Sequence, residues 1–252
     1  MSFEVAAQSY GLFMGRYSEP LATELTALVS LSPGMRAIDV GCGPGALTAR
    51  LVERLGVGSV CAVDPSGPFV AAARTRFPGL DVRQGRAEEL PWPDDSFDVA
   101  VAALVVHFMR DPVAGLREMG RVVRAGGTVA ATVWDHAGDR GPISPFWRAV
   151  RSLDPAAPDE SELAGARAGH LASLFVEAGL DVIWDTALTV RVHYSTPEQW
   201  WEPYTLGVGP AGAYVAGLDE GRREALRRRC LQLLPPAPFD IHASAWCVIG
   251  RA

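Results

Sequence analysis

The chain reads as one doubly wound α/β fold, a mostly parallel seven-stranded sheet with helices on both faces and a small lid. Three observations lead there. Apolar runs of strand length alternate with helical patterns from about Met35 to Val192, the order that a parallel sheet with crossover helices produces. Three glycines, Gly41, Gly43 and Gly45, stand where the first such run gives way to a helix. Seven runs in all have strand character, and no internal repeat divides them.

The first strand is Met35 to Val40. The helix after it runs from Gly45 to Leu55, with Leu47, Leu51, Val52 and Leu55 on one face and Gly56 as a C-terminal cap. Ser59 to Val63 is the second strand, ending at Asp64, and Pro65-Ser66 opens a helix that Phe77-Pro78-Gly79 stops after Arg76. Leu80 to Gln84 and Phe97 to Leu104 are the third and fourth strands. A helix from Asp111 to Arg124 is broken by Ala125-Gly126-Gly127 before a fifth strand, Thr128 to Trp134. His136 to Ser161, rich in Gly, Pro and Asp, reads as a loop or lid insertion. Helix follows at Ala166 to Ala178, then a long strand from Asp181 to Tyr194, and a last strand from Ala243 to Ile249. Trp200-Trp201-Glu202-Pro203-Tyr204 and the glycine-rich stretch behind it form a second variable segment over one end of the sheet. The expected organisation is a single domain over 1–252, with 35–134 as a cofactor-binding core and 136–165 and 195–240 as variable lid and substrate segments.

Composition narrows the function. At 48% hydrophobic and 21% charged the chain is of ordinary globular type, and no apolar run has the length of roughly 18 to 20 residues that a bilayer crossing needs. Met1 to Tyr10 lacks a basic stretch followed by an apolar one, so no secretory leader is expected and the expected compartment is the cytoplasm. A net charge of −6 speaks against a nucleic-acid partner. Arg222, Arg223, Arg227, Arg228 and Arg229 read as a solvated helix face. Cys42, Cys61, Cys230 and Cys247 have neither C-x-x-C spacing nor nearby histidines, so no metal is expected and all four read as reduced and structural. None of the 23 basic residues is lysine, which excludes lysine Schiff-base chemistry.

The chemistry gathers around the glycine loop. Missing side chains let backbone approach a ligand, and a helix N-terminus offers N–H groups. Asp64 closes the second strand about 20 residues on, where a carboxylate can take both ribose hydroxyls of a nucleoside. The loop alone is ambiguous, because Gly41-Cys42-Gly43-Pro44-Gly45-Ala46 also fits the dinucleotide pattern G-x-G-x-x-A. Two neighbours favour another nucleoside. Asp39 can hold a ligand ammonium group or order the loop, and Pro44 removes an N–H from the turn where a pyrophosphate wants donors.

Further motifs follow in order: Ile38 to Gly45, Val63-Asp64-Pro65-Ser66, Gly85-Arg86-Ala87-Glu88-Glu89-Leu90-Pro91-Trp92-Pro93-Asp94-Asp95-Ser96-Phe97-Asp98, then Leu116-Arg117-Glu118-Met119 through Arg121-Val122 to Gly126-Gly127. In these the chain resembles the Rossmann-like class I S-adenosylmethionine-dependent methyltransferases, in particular those similar to ubiquinone/menaquinone biosynthesis methyltransferases. The resemblance runs from Met35 to about Trp134, with a weaker echo in Tyr10 to Tyr17. It implies S-adenosylmethionine as cofactor. Gly41, Cys42 and Gly43 would lie along its methionine half, Asp64 and Pro65 at the ribose, Arg86, Ala87 and Glu88 at the adenine, and Leu104 at the methionyl part. Arg86 departs from the family, which often has an aspartate there, and an arginine cannot accept the adenine amino hydrogen bond. Tyr10 or Arg16 would meet the methionine carboxylate if the opening helix folds over the cofactor; the other reading packs its aromatics on the sheet.

A sulfonium methyl is already electrophilic, so alignment and exclusion of water do most of the catalysis. His107, after the fourth strand, is the candidate general base, against a packing histidine as the other reading. Asp135-His136 is a second pair or a solvated turn. Trp134, Trp147, Trp200, Trp201 and Tyr204 are candidates to wall an apolar or aromatic acceptor. Ala103-Leu104-Val105-Val106 stands where amino-directed DNA and protein methyltransferases carry an Asn-Pro-Pro-Tyr type motif, so the expected acceptor is a small molecule methylated on O, N or C. No nucleic-acid or membrane partner is expected. The alternatives are an NAD(P)-dependent oxidoreductase and a non-catalytic S-adenosylmethionine-binding protein.

Overall fold

Seven strands pair in the order β3-β2-β1-β4-β5-β7-β6. They are β1 Ala37–Val40, β2 Val60–Asp64, β3 Asp81–Gln84, β4 Phe97–Ala103, β5 Val123–Trp134, β6 Asp181–Tyr194 and β7 Phe239–Arg251. The first five run parallel, while β7 inserts antiparallel between β5 and β6. The computed structural model describes residues 7–157 and 160–252. Residues 1–6, where most of the expectation of no leader rests, and 158–159 within the first variable segment lie outside the described residues.

The helices are α1 Ala7–Tyr10, α2 Arg16–Leu28, α3 Ala46–Leu55, α4 Gly67–Arg76, α5 Pro112–Val122, α6 Ser144–Leu153, α7 His170–Glu177, α8 Pro197–Trp201, α9 Gly209–Ala216 and α10 Glu220–Leu233. Strands β1 and β2 are buried at every residue, as parallel strands covered on both faces must be. On one face Leu25, Leu47, Leu51 and Val70 of α2, α3 and α4 pack against Ala62, Val99 and Val101. On the other, Leu116 and Met119 of α5 and Leu171 and Phe175 of α7 pack against Val63, Ala100 and Ala102. Local chemistry sets the helix starts. Ser66 caps α4 by accepting from the Phe69 N–H, and Asp111 caps α5 by accepting from the Ala114 N–H at 2.9 Å, with Pro112 as its first residue.

Several boundaries differ from the expectation, among them the start of α7 at His170 and not Ala166. Helix α5 stops at Val122 and β5 begins at once, because Val123 pairs with Phe97 and the chain turns at Gly126 (φ 73°) within the extended segment. Strand β7 is longer than expected, since it pairs with β6 from Phe239 to Arg251. The first variable segment contains α6, whose Phe146, Trp147 and Val150 are buried behind Gly- and Pro-rich flanks.

The second variable segment is helical, in α8, α9 and α10. Trp200, Trp201 and Tyr204 join Phe146, Val192 and Ile241 in a third apolar cluster over the β6–β7 end of the sheet. Leu226 and Cys230 of α10 face into it, and Arg222, Arg223 and Arg228 lie on the exposed side. All four cysteines are buried free thiols. Strand order reverses between β1 and β4, so the carboxyl ends of these two strands open the crevice where such sheets bind ligands.

Candidate active site

The loop after β1 sits at that reversal. Gly41, Gly43 and Gly45 all have positive φ, of 74°, 53° and 93°. A Cβ on Gly41 would stand 2.4 Å from Val105 Cγ2, so this position requires glycine for close approach as well as for conformation. The loop N–H groups are spent inside the protein. Those of Gly41 and Cys42 both donate to the Val63 carbonyl, at 2.8 and 3.0 Å, and that of Gly45 donates to the Cys42 carbonyl at 2.9 Å. The Gly43 N–H donates to Asp64 Oδ2 at 2.8 Å, and Pro44 has none. The sequence led us to expect unpaired donors here. Instead the turn is closed onto the end of β2 and lacks the cluster of free N–H groups that grips a pyrophosphate.

Asp64 is buried and also accepts from the Ser66 N–H at 2.8 Å. Burial pushes its carboxyl above the usual 3.8, against the pull of the Ser66 and Gly43 N–H groups. Asp39 turns away from the crevice, and its Oδ2 accepts from Thr48 Oγ1 at 2.6 Å. Burial lifts it to about 7, an effect the Thr48 hydrogen bond opposes and the Asp64 charge reinforces. Of its two expected roles, ordering the loop against α3 is the one the geometry displays. Cys42 is buried among Leu47 and Ala37 in the core, and only its backbone belongs to the loop.

Beside Asp64 a slot opens between Gly41, Val63, Pro65, Arg86, Ala87 and Phe108. It has the apolar walls that a purine requires. Arg86 is half-exposed and reaches Glu88 Oε1 at 3.3 Å. The same Glu88 oxygen accepts from the Arg110 N–H at 2.7 Å, so Glu88 ties this wall to the start of α5.

A second, more apolar cavity lies across Phe108, which lines both. Its walls include Tyr10, Phe13, Leu104, Trp134, Ile143 and Val208. Leu104 has φ 63°, a conformation costly for a branched residue, and its N–H is held by the Thr132 carbonyl at 2.9 Å. Tyr10 meets Phe69 edge-on at 5.4 Å, and burial, reinforced by the Asp64 charge, raises its hydroxyl to about 12. Tyr10 thus packs on α4 and lines the second cavity. Arg16 does not accompany it there; its guanidinium stacks on the Tyr194 ring at 4.4 Å and donates to the His193 carbonyl at 3.4 Å.

His107 and His136 both line this cavity, with ring centroids 6.0 Å apart. Burial, reinforced by His136, keeps His107 well below the usual 6.5, so its ring is neutral. Asp135 is no solvated turn. It is buried and accepts from Arg140 Nε at 2.6 Å and from the Gly138 N–H at 2.9 Å, which fixes the chain after β5. Of the five aromatics considered as acceptor walls, Trp134 alone lines the cavity; Trp147, Trp200, Trp201 and Tyr204 form the core beneath the lid. Sequence reasoning missed Glu160, Val208 and Pro210, which also line it. Glu160 is buried, with Oε2 accepting from Trp147 Nε1 at 2.8 Å. No local pattern marks these three, since the folding of both variable segments brings them to the cavity.

Residues 38–131, from β1 into β5, match the model of the methyltransferase domain family. Over this stretch the chain is similar to methyltransferase domains. Its relatives include a ubiquinone/menaquinone biosynthesis C-methyltransferase of Stenotrophomonas maltophilia, 41% identical over 40% of this chain and 43% of the relative. A 2-methyl-6-phytyl-1,4-hydroquinone methyltransferase of Oryza sativa is 34% identical over 53% of this chain and 37% of the relative. The match thus spans less than half the length of either relative. Solved structures extend the methyltransferase fold over nearly the whole chain. A geranyl diphosphate methyltransferase in complex with S-adenosylmethionine covers 94% of it and is itself covered to 86%, with TM-score 0.56 and 13% identity. The [4+2]-cyclase SpnF covers 92% and is covered to 80%, with TM-score 0.59 and 21% identity. One fold thus serves a methyltransferase and a cyclase, and the chemistry lies in the site.

Proposed function

We propose that this chain transfers a methyl group from S-adenosylmethionine to a small molecule held in the apolar cavity. The observation that carries the reading is the glycine loop closed onto β2 beside a buried carboxylate. A dinucleotide needs free N–H donors for its pyrophosphate, and Gly41, Cys42, Gly43 and Gly45 have none to give. S-adenosylmethionine needs a ribose acceptor, a flat apolar slot and an approachable backbone. Asp64 supplies the first, the slot beside Ala87 the second, and Gly43, where a Cβ would meet nothing within 4 Å, the third. The cofactor when bound supplies an electrophilic methyl on sulfur.

In this reading Asp64 takes the ribose hydroxyls and Pro65 and Ala87 line the adenine slot. Glu88 holds that wall in place, and Arg86 covers its rim. Gly41, Cys42 and Gly43 carry the methionine half through their backbone, and Leu104 directs it toward the second cavity. Tyr10 and Phe13 close over the crevice and exclude water. Residues 35–134 act as the cofactor core, and 136–165 with 195–240 as the acceptor-selecting cover, within one domain. The relative named as a C-methyltransferase favours carbon as the methylated atom. Incubation with methyl-labelled cofactor and a panel of small acceptors tests the reading. Label transferred to one acceptor, and lost in Asp64→Ala, is expected; tight cofactor binding without any transfer would turn it into a binding protein.

A further inference from the structure

The acceptor cavity is apolar almost throughout, which makes its few polar atoms informative. His107 lines it and is only 6% exposed. Its Nδ1 is buried and has no hydrogen-bond partner among the described residues. A buried polar nitrogen left unpaired costs roughly 1 to 3 kcal/mol, and a binding partner that pairs it recovers that cost. The Phe108 ring lies against the imidazole at 3.9 Å between centroids, and the His136 ring stands 6.0 Å away without pairing Nδ1.

We propose that His107 is the specificity-determining residue of the acceptor site, selecting an uncharged ring compound through a hydrogen bond between its imidazole and a hydroxyl on that compound. The inference rests on the methyltransferase reading and names the chemistry its acceptor must present. A neutral imidazole offers one donor and one acceptor, and a hydroxyl is both, so the pair forms in either tautomer. Among the described residues no arginine lines the cavity, so a carboxylate or phosphate on the acceptor would be desolvated with no cation to pair it. A protonated amine only donates, so it pairs Nδ1 in one tautomer alone. Flat apolar walls from Phe13, Phe108 and Trp134 favour a ring over a flexible chain. His107 is thereby a reader of the acceptor, with no proton removal required of it.

The test uses 2-naphthol, 2-methylnaphthalene and 2-naphthoate as probes of one size, followed by fluorescence with and without saturating S-adenosylhomocysteine. 2-Naphthol is expected to bind at least about tenfold more tightly than 2-methylnaphthalene. 2-Naphthoate is expected to bind more weakly than either. His107→Phe, which keeps a ring, should bring the two neutral probes to within about twofold, and His107→Gln, which keeps a donor and an acceptor, should restore the preference. Equal affinity of the wild-type protein for the two neutral probes overturns the proposal, as does tight naphthoate binding or a preference that survives in His107→Phe. The wild-type comparison decides even if a variant does not fold. Absence of S-adenosylhomocysteine binding would overturn the methyltransferase reading instead, while the probe series without it still reads the cavity.

Discussion

The two halves of this molecule build their proposed sites in different ways. In the cofactor half, the site is built from backbone: glycines at positive φ, N–H groups folded back on Val63, and one carboxylate pinned by two N–H donors. In the acceptor half it is built from side chains that meet only after α6 and α9 settle on the β6–β7 end of the sheet. A backbone site tolerates few substitutions and serves one ligand. A side-chain site is remade by changing a few apolar residues, which is how one cofactor fold can serve many acceptors.

Damage to one half should leave the other working. The largest effect is expected in the lid core, where Trp200 is 2% exposed and lies tilted against Tyr204, with centroids 4.8 Å apart. Trp200→Ala should cost about 3 to 5 kcal/mol in chemical denaturation. At a temperature where the variant is still folded, its S-adenosylhomocysteine affinity should stay within about tenfold of wild type while 2-naphthol binding is lost. Asp64→Ala is the converse. It removes a charged acceptor of ribose hydroxyls and should weaken S-adenosylhomocysteine by about a hundredfold or more in calorimetry, with 2-naphthol binding retained.

The sequence made the first half legible and the second half only in outline. The pattern Asp39 to Gly45, then Asp64, is local, and each residue acts close to where it stands in the chain. Alternating apolar runs likewise announced β1 to β5, because buried parallel strands leave a continuous signal. The acceptor half has no such signal. Glu160 and Val208 converge from segments on either side of β6, and α6 was hidden by the prolines and glycines around it. The aromatic cluster from Trp200 to Tyr204 misled for a physical reason: large rings bury equally well under a lid and against a ligand. Arg16 misled because a guanidinium finds a ring as readily as a carboxylate, and Tyr194 lies nearer.

Two further effects sharpen the contrast on the cofactor side. Gly41→Ala meets both a left-handed backbone and the Val105 side chain, and should lower stability by about 1 to 3 kcal/mol. Adding Val105→Ala should return part of that loss in a double-mutant cycle, whereas Val105→Ala alone should have no such benefit. Asp39 predicts a change in pH dependence. Its carboxyl is raised to about 7 in the folded chain from an ordinary 3.8, so the folded state holds a proton that the unfolded state releases between those values. Stability should therefore fall as pH rises from about 4 to about 7, and Asp39→Asn, which cannot ionise, should show a shallower fall in thermal melts over that window.

The central claim is that the closed glycine loop and Asp64 form a site for S-adenosylmethionine and not for a dinucleotide. Calorimetric titration of the wild-type protein with S-adenosylhomocysteine, repeated in the presence of excess NADH, tests it most directly. The account predicts one saturable site with unchanged affinity when NADH is present. No binding of S-adenosylhomocysteine, or its displacement by NADH, would contradict it.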